Sequence, residues 1–136
     1  MIYEFEVPGE IVGKGRPRLN TYANQVYTPT KTKDYETLVQ QYFRLKYPRY
    51  QTLENRIHVK IIAYFKILKS TSKKNTQEML DGKISPTKKP DIDNIIKVIL
   101  DALNKMAFKD DNQITKIEVE KVYSTEEKVV IKIEEY

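Results

Sequence analysis

Alternation of apolar and polar residues marks two strands. Near the start of the chain, Tyr3, Phe5 and Val7 are separated by glutamates. This period of two predicts a first strand with one buried face, which ends at Pro8-Gly9. Residues 56–67 are rich in β-branched and aromatic side chains at both odd and even positions. A central strand that is covered on both faces has this pattern.

Residues 30–46 have the spacing of a first helix. Leu38, Tyr42 and Leu45 recur about one turn apart, and Pro48 ends the segment because proline cannot continue a helix.

Two more helices and a hairpin are predicted farther along. A short helix is expected around residues 71–80, followed by a loop rich in proline and lysine. The strongest apolar stripe runs through residues 92–106, where Asp93 can serve as the N-cap. Residues 114–123 and 128–134 are predicted to be strands joined as a hairpin.

Composition limits the kinds of site that the chain can build. Its 136 residues suit one domain, and the absence of cysteine excludes disulfides, thiolate zinc sites and cysteine nucleophiles. The single histidine, His58, excludes histidine-rich metal sites and is expected to be structural. No apolar run approaches the length of a membrane span, and the first residues do not resemble a signal peptide, so a cytoplasmic protein without a membrane partner is expected.

Charge is unevenly distributed along the chain. Lysine and arginine number 24 against 19 acidic residues, a net charge of +5, and residues 117–136 are acidic overall while the rest is strongly basic. Such a pattern is expected if part of the surface binds a polyanion, and nucleic acid is the first candidate. Incidental basicity is the alternative, and charge alone does not decide between them.

Two pairs of aspartates are the candidate chemistry. Asp91 and Asp93 lie where a loop meets the strongest helix, and Asp110-Asp111 lies in a turn ahead of a strand. One aspartate satisfies a helix cap, whereas a second one two residues away adds repulsion that a hard divalent cation would relieve. Magnesium prefers oxygen ligands and takes few carboxylates. The alternative is that one pair caps a helix and the other makes a turn.

Lys97 follows Asp93 by four residues, on the same side of the helix. It can pair with that aspartate or contact a phosphate beside a metal site. Asp101, four residues farther on, is expected to pair with Lys97 rather than to bind metal.

Three blocks, in this order and spacing, resemble the RusA-type Holliday-junction resolvases. They are Lys14-Gly15-Arg16-Pro17-Arg18; Tyr27-Thr28-Pro29 with Lys31 and Tyr35; and Lys89-Pro90-Asp91-Ile92-Asp93-Asn94-Ile95-Ile96-Lys97, followed by Asp110-Asp111. The resemblance covers residues from about 5 to 120.

The resemblance implies a small α/β homodimer that binds four-way junction DNA and nicks two opposed strands with magnesium. Together with the predicted elements, it gives one domain over residues 1–136, of α/β (α+β-like) class, with a mixed sheet flanked by helices. Asp91, Asp93 and Asp111 are implied to be the catalytic metal ligands, and Lys97 the essential lysine. Manganese can substitute for magnesium, and no small-molecule cofactor is expected.

The distance between the aspartates raises a question about the site. A straight helix over residues 92–106 is about 22 Å long, and the five residues that lead back to Asp111 span at most about 17 Å. Either the helix ends early, or Asp111 joins Asp91 and Asp93 of a partner subunit. We predict the shared site.

Eight basic residues are predicted to bind the DNA backbone. They are Lys14, Arg16, Arg18, Lys31, Lys73, Lys74, Lys88 and Lys89. Glycines beside the first of them permit close approach to phosphates, although basic loops are often merely solvated. Tyr22, Tyr27, Tyr47 and Tyr50 can stack on unpaired bases or pack at the edge of the core. A DNA-binding module without catalysis and a nuclease for flaps or other branched DNA remain the alternatives.

Overall fold

Six strands and three helices make up the parts of the chain that the structure describes. The computed structural model describes residues 1–15, 18–20, 25–27 and 30–136, with the backbone alone at 18–20 and 25–27. The strands are β1 (Ile2–Pro8), β2 (Arg18–Asn20), β3 (Gln25–Tyr27), β4 (Ile57–Lys66), β5 (Ile114–Ser124) and β6 (Lys128–Glu135). The helices are α1 (Thr30–Lys46), α2 (Lys73–Leu80) and α3 (Ile92–Leu103). None of the helices described is long and apolar enough to cross a membrane.

The main sheet is mixed and has the strand order β1-β6-β4-β5. β4 pairs in parallel with β5 and antiparallel with β6, which in turn pairs antiparallel with β1. β2 and β3 form a separate two-stranded ribbon. The chain is therefore a small α+β domain with a mixed sheet and three helices, as the sequence predicts.

The predicted hairpin between β5 and β6 is wrong, because β4 lies between them. The link from β5 to β6 has only three residues, 125–127, and it crosses one strand. Strands lie about 4.8 Å apart, so three extended residues of about 3.3 Å each are enough to pass over β4. The most apolar strand thereby gains neighbours on both sides.

The core lies on one face of the sheet. Five side chains of β4 are buried there, Ile57, Val59, Ile61, Ala63 and Phe65, and α3 contributes Ile95, Val98, Ile99, Ala102 and Leu103. The spacing of three and four residues on α3 is that of one helix face. The two runs pack into one hydrophobic cluster.

The opposite face of β4 is not covered as predicted. Ile62 and Tyr64 are only half-buried there, because charged and polar residues alternate with them and prevent this face from forming a second core. His58 lies on the same face, with its ring nitrogens 3.4 and 3.8 Å from the carboxylates of Glu118 and Glu134.

Helix α1 has the predicted bounds, but its buried residues are not the ones that mark the helical spacing in the sequence. Its buried residues are Thr32, Tyr35, Val39 and Phe43. Of the three residues that mark the helical spacing in the sequence, Leu38 and Tyr42 are half-buried and Leu45 is 76% exposed. Tyrosine, threonine and valine fill the buried positions, so a pattern that counts the leucines selects the neighbouring face.

The ends of α2 and α3 differ slightly from the prediction. Ser72 caps α2 by accepting a hydrogen bond from the Asn75 N–H at 3.2 Å. The N-cap of α3 is Asp91 rather than Asp93, and the helix ends at Leu103 rather than at residue 106. Lys105 follows in the left-handed region with φ of 65°, which ends the helical path.

Tyr47 and Tyr50 are structural rather than available to bases. The Tyr47 hydroxyl binds both the N–H and the carbonyl of Glu4 at 2.9 and 3.0 Å, and the Tyr50 hydroxyl donates to the Ala107 carbonyl at 2.7 Å. The Tyr50 ring packs edge-on against Phe43, and the Tyr47 ring packs edge-on against Tyr3. Core-edge packing is therefore the correct alternative for these two. Tyr22 lies outside the described residues, and no side chain is described at Tyr27.

Candidate functional site

The start of α3 leaves a carboxylate without a structural role. Asp91 has the extended backbone of an N-cap, and its carbonyl accepts the first helical hydrogen bond, from the Ile95 N–H at 3.0 Å. Its side chain is exposed and makes no capping hydrogen bond. Aspartate at this position normally accepts such a bond, as Ser72 does for α2. Capping therefore does not explain the Asp91 carboxylate.

Asp93 and Lys97 stand exposed on the first two turns of α3. Among the described residues, neither has an ion-pair partner within 4 Å. The positive end of the helix dipole stabilises the Asp93 charge. With respect to the described residues, the site thus presents two carboxylates and an ammonium without ion-pair partners within two turns.

The predicted pairing of Asp101 with Lys97 is wrong. The carboxylate of Asp101 lies 3.0 Å from the Lys14 ammonium, which also contacts Glu36 of α1 at 2.9 Å. Lys14 is 87 residues away from Asp101 in the sequence, so helical spacing could not predict that Lys14 is the partner of Asp101. Lys97 is left unpaired in the described part of the chain and remains available to another anion.

Lys14 itself is held between two helices rather than extended into solvent, with its side chain 19% exposed. Partial burial alone would lower the pKa of the Lys14 ammonium. Hydrogen bonds to Glu36 and Asp101 outweigh that effect and raise the pKa above its usual value. The residue stays charged at neutral pH.

A groove of about 540 Å³ runs beside the start of α3. Its walls include Lys31 of α1 and Lys89, Asp91 and Asn94. Lys14 and Glu10 line the groove as well. Three cations therefore face the same space as an uncapped carboxylate, which suits a phosphate chain that must lie next to a metal site. A larger groove of about 750 Å³, near Tyr3 and Tyr50, contains none of the predicted site residues.

Asp110 and Asp111 lie at a capped turn ahead of β5. Asp110 accepts a hydrogen bond from the Asn112 N–H at 3.4 Å, and its own N–H donates to Gln113 Oε1 at 2.9 Å. Asp110 therefore has an ordinary structural role. Its two neighbours Asp111 and Asn112 begin a single 3-10 turn, Asp111–Gln113.

The carboxyl groups of Asp110 and Asp111 are close enough to hydrogen-bond to each other. This bond, with the Asn112 N–H, lowers the pKa of Asp110, and the same bond, with burial and repulsion from Asp110 and Asp101, raises the pKa of Asp111. The two adjacent side chains can approach each other because the segment is a turn and not an extended strand, in which they would point in opposite directions.

One subunit does not assemble the three predicted ligands. Within residues 1–15 and 30–136, no group of three acidic or histidine side chains is arranged to hold a metal ion. Asp111 is close enough to Asp101 to feel its charge, and Asp101 lies eight residues, or about 12 Å, beyond Asp93 along α3. The early end of α3 therefore does not gather the three carboxylates into one metal-binding group within the described residues.

The predicted DNA-binding lysines fall into two groups. Lys14, Lys31 and Lys89 border the groove, while Lys73, Lys74 and Lys88 are exposed on α2 and on the loop before α3. Arg16 lies outside the described residues, and no side chain is described at Arg18.

The contacts of three further charged residues near the site were not predicted from the sequence. Lys121 of β5 donates to the Lys88 carbonyl, and the parallel pairing of β5 with β4 brings it to this edge. Glu36 and Asp101 join the Lys14 contact. All three depend on long-range pairing, so no local pattern could have indicated them.

Comparison with known proteins shows the family of the chain. The family model described as endodeoxyribonuclease RusA matches residues 8–134 of the chain. The chain is also 34% identical over 139 residues to "Uncharacterized protein YqaN" of Bacillus subtilis (strain 168), a match that covers 97% of this chain and 95% of that protein. The matched region contains the loop before α3, both aspartate pairs and the lysines of the groove, and the chain therefore belongs to the RusA endodeoxyribonuclease family.

Proposed function

We propose that the protein is a structure-selective endodeoxyribonuclease that resolves Holliday junctions by paired symmetric nicks during DNA recombination and repair. The observation that carries the proposal is the Asp91 carboxylate, which occupies a helix N-cap without capping it. Membership of an endodeoxyribonuclease family supports the same chemistry. Hydrolysis of the phosphodiester leaves a 5′-phosphate, so a ligase can seal each nick.

The donor set fits magnesium, with manganese as a substitute. Asp91 and Asp93 offer exposed carboxylate oxygens without partners in the described chain, and magnesium prefers such hard donors. We propose Asp91, Asp93 and Asp111 as the ligands. When bound, the metal would lower the pKa of a water and neutralise charge on the phosphate.

A homodimer would complete this ligand set. Because the three carboxylates form no metal-binding group within the described residues of one subunit, we propose that Asp111 joins Asp91 and Asp93 of the partner subunit. Two such sites related by a two-fold axis would match the symmetry of a four-way junction.

The chain's own cations would hold and polarise the DNA. Lys97 is exposed and one turn beyond Asp93, where its ammonium can contact the scissile phosphate and stabilise charge that develops there. Lys31 and Lys89 would hold the adjacent backbone in the groove that they border.

Substrate comparison tests the proposal. With magnesium, the protein is expected to nick a labelled four-way junction much faster than a flap or a linear duplex of the same sequence. A flap cut fastest would indicate a nuclease for other branched DNA. Equal binding of the junction with and without metal, and no cutting of any substrate, would indicate a DNA-binding module.

Replacing Lys88 and Lys89 with alanine is expected to weaken junction binding and its dependence on salt. Each lost phosphate contact removes about one unit from the slope of log affinity against log salt, so the double variant should lose up to about two. Fluorescence anisotropy in calcium at several salt concentrations measures the slope. Lys46→Ala is the control, because Lys46 is exposed at the far end of α1, about 22 Å from Lys31. An unchanged slope in the double variant would show that neither lysine contacts phosphate.

A further inference from the structure

Lys14 joins three separate parts of the fold at one ammonium group. Its Nζ lies 2.9 Å from Glu36 Oε1 on α1 and 3.0 Å from Asp101 Oδ2 on α3. The ammonium group therefore contacts carboxylates of two helices that pack against each other. These contacts attach the loop of residues 9–15, which contains Lys14, to both helices.

The backbone of the same loop is fixed directly to the start of α3. The Lys14 N–H donates to the Asn94 carbonyl at 3.0 Å, one residue beyond Asp93. The Gly15 N–H donates to the hydroxyl of Thr32, a side chain that is almost fully buried on α1. The loop thus reaches the turn of α3 that bears the site.

Gly13 allows this close approach. A Cβ atom at Gly13 would lie 2.6 Å from the Pro90 Cβ and 3.2 Å from the Asn94 Cβ. Real Cβ atoms do not approach so closely, so a larger residue would push the loop away from Pro90 and Asn94. These two residues flank the aspartates on both sides in the sequence.

We propose that Lys14 is a positioning residue, which locks the loop between α1 and α3 and thereby sets the place of Asp91 and Asp93. The inference rests on the proposed function, because it concerns the same carboxylates. It departs from the sequence prediction, in which Lys14 binds DNA.

The surroundings of Lys14 favour positioning over contact with DNA. Lys14 lines the groove beside α3, but its side chain is 19% exposed and its charge is already balanced by two carboxylates at hydrogen-bond distance. A phosphate would have to replace these partners and would meet their negative charge. A charge already satisfied within the protein contributes little to binding a polyanion.

Variants of the contact separate the two roles. In Lys14→Met and Asp101→Asn, the nicking rate at saturating junction DNA is expected to fall at least about tenfold, because displaced supports of a metal site typically cost that much. Junction affinity in calcium should stay within about twofold for Lys14→Met. Lys14→Arg should restore most of the rate, and Lys46→Met should match wild type.

The opposite pattern would overturn the proposal. If Lys14 binds phosphate, Lys14→Met should lose affinity and about one unit of salt slope while its saturated rate stays near that of wild type. Asp101→Asn should then bind junctions more tightly, since it removes a negative charge and frees the lysine. The two variants would change binding in opposite directions, instead of lowering the rate together.

Amide hydrogen exchange tests the lock without any need for nicking. The Lys14 and Gly15 amides are hydrogen-bonded to Asn94 and Thr32 and should exchange at least about tenfold faster in Lys14→Met and Asp101→Asn. Gly13→Ala should show the same change. Unchanged protection in all three variants would overturn the proposal, and it would do so even if the wild type cut no DNA, a result that would refute only the proposed function.

Discussion

Replacing Asp93 with asparagine is expected to abolish strand nicking while junction binding is retained. Asparagine keeps the size of the side chain but removes the charge that would hold a divalent cation. Loss of the metal's charge stabilisation should lower the nicking rate at least about a thousandfold, which corresponds to about 4 kcal/mol. Gel assays with a labelled four-way junction measure nicking in magnesium and binding in calcium.

The fold should not change in this variant. Asp93 is exposed and has no ion-pair partner among the described residues, so its loss removes no packing contact. Asp81→Asn is the matched control, since Asp81 is an exposed aspartate after α2, and it should cut at a rate within about twofold of wild type. Nicking by Asp93→Asn at the wild-type rate would mean that this carboxylate takes no part in the reaction.

Phe43→Ala is expected to destabilise the fold by about 3–5 kcal/mol. The Phe43 ring is 1% exposed and packs against the rings of Phe5, Tyr47 and Tyr50, with centroids 5.2, 5.9 and 4.7 Å away. Truncation removes these contacts and leaves a cavity between α1 and β1. Urea denaturation followed by circular dichroism gives the free energy of unfolding.

Leu45→Ala provides a control on the same helix. Leu45 is 76% exposed, so its truncation should change the free energy of unfolding by less than about 0.5 kcal/mol. Similar losses in the two variants would contradict the assignment of the buried stripe to Thr32, Tyr35, Val39 and Phe43. A loss below about 1 kcal/mol in Phe43→Ala alone would mean that the aromatic cluster adds little to stability.

Local patterns predicted most of the individual elements. The first strand ends at Pro8-Gly9 because alternation ends there, and α1 spans residues 30–46 as its periodicity indicates. These patterns depend only on residues that are close together in the sequence, so the sequence alone is sufficient to predict the elements. The predicted N-cap of α3, Asp93, lies two residues after the observed one, Asp91. Aspartate is favourable at either position near a helix start, so the pattern did not distinguish them.

Strand order could not be predicted in the same way. A three-residue link between two strands normally makes a hairpin, yet β4 separates β5 from β6. What decides the order is the burial of Ile57, Val59 and Ile61 by pairing on both edges of β4. This burial arises only in the assembled sheet, so no local sequence pattern indicates it.

The sequence predicted residues of the candidate site but did not predict the contacts that link the site to the rest of the fold. The spacing of Asp91, Asp93 and Lys97 identified the exposed charges of α3, and the structure adds that the Asp91 carboxylate makes no cap. The partners of Lys14 were not predictable, because Glu36 and Asp101 lie 22 and 87 residues away in the sequence. Lys14, which the sequence predicts to bind DNA, thus also contacts two helices that no local pattern connects to it.

The most direct test of the account is to map the cuts that the protein makes in a four-way junction. Each strand is labelled in turn, and the products in magnesium are resolved at nucleotide resolution and then treated with ligase. We expect nicks at symmetric positions on two opposed strands, with ends that ligase seals into linear duplexes. Unpaired nicks, ends that cannot be ligated, or equal cutting of a linear duplex would contradict a junction resolvase.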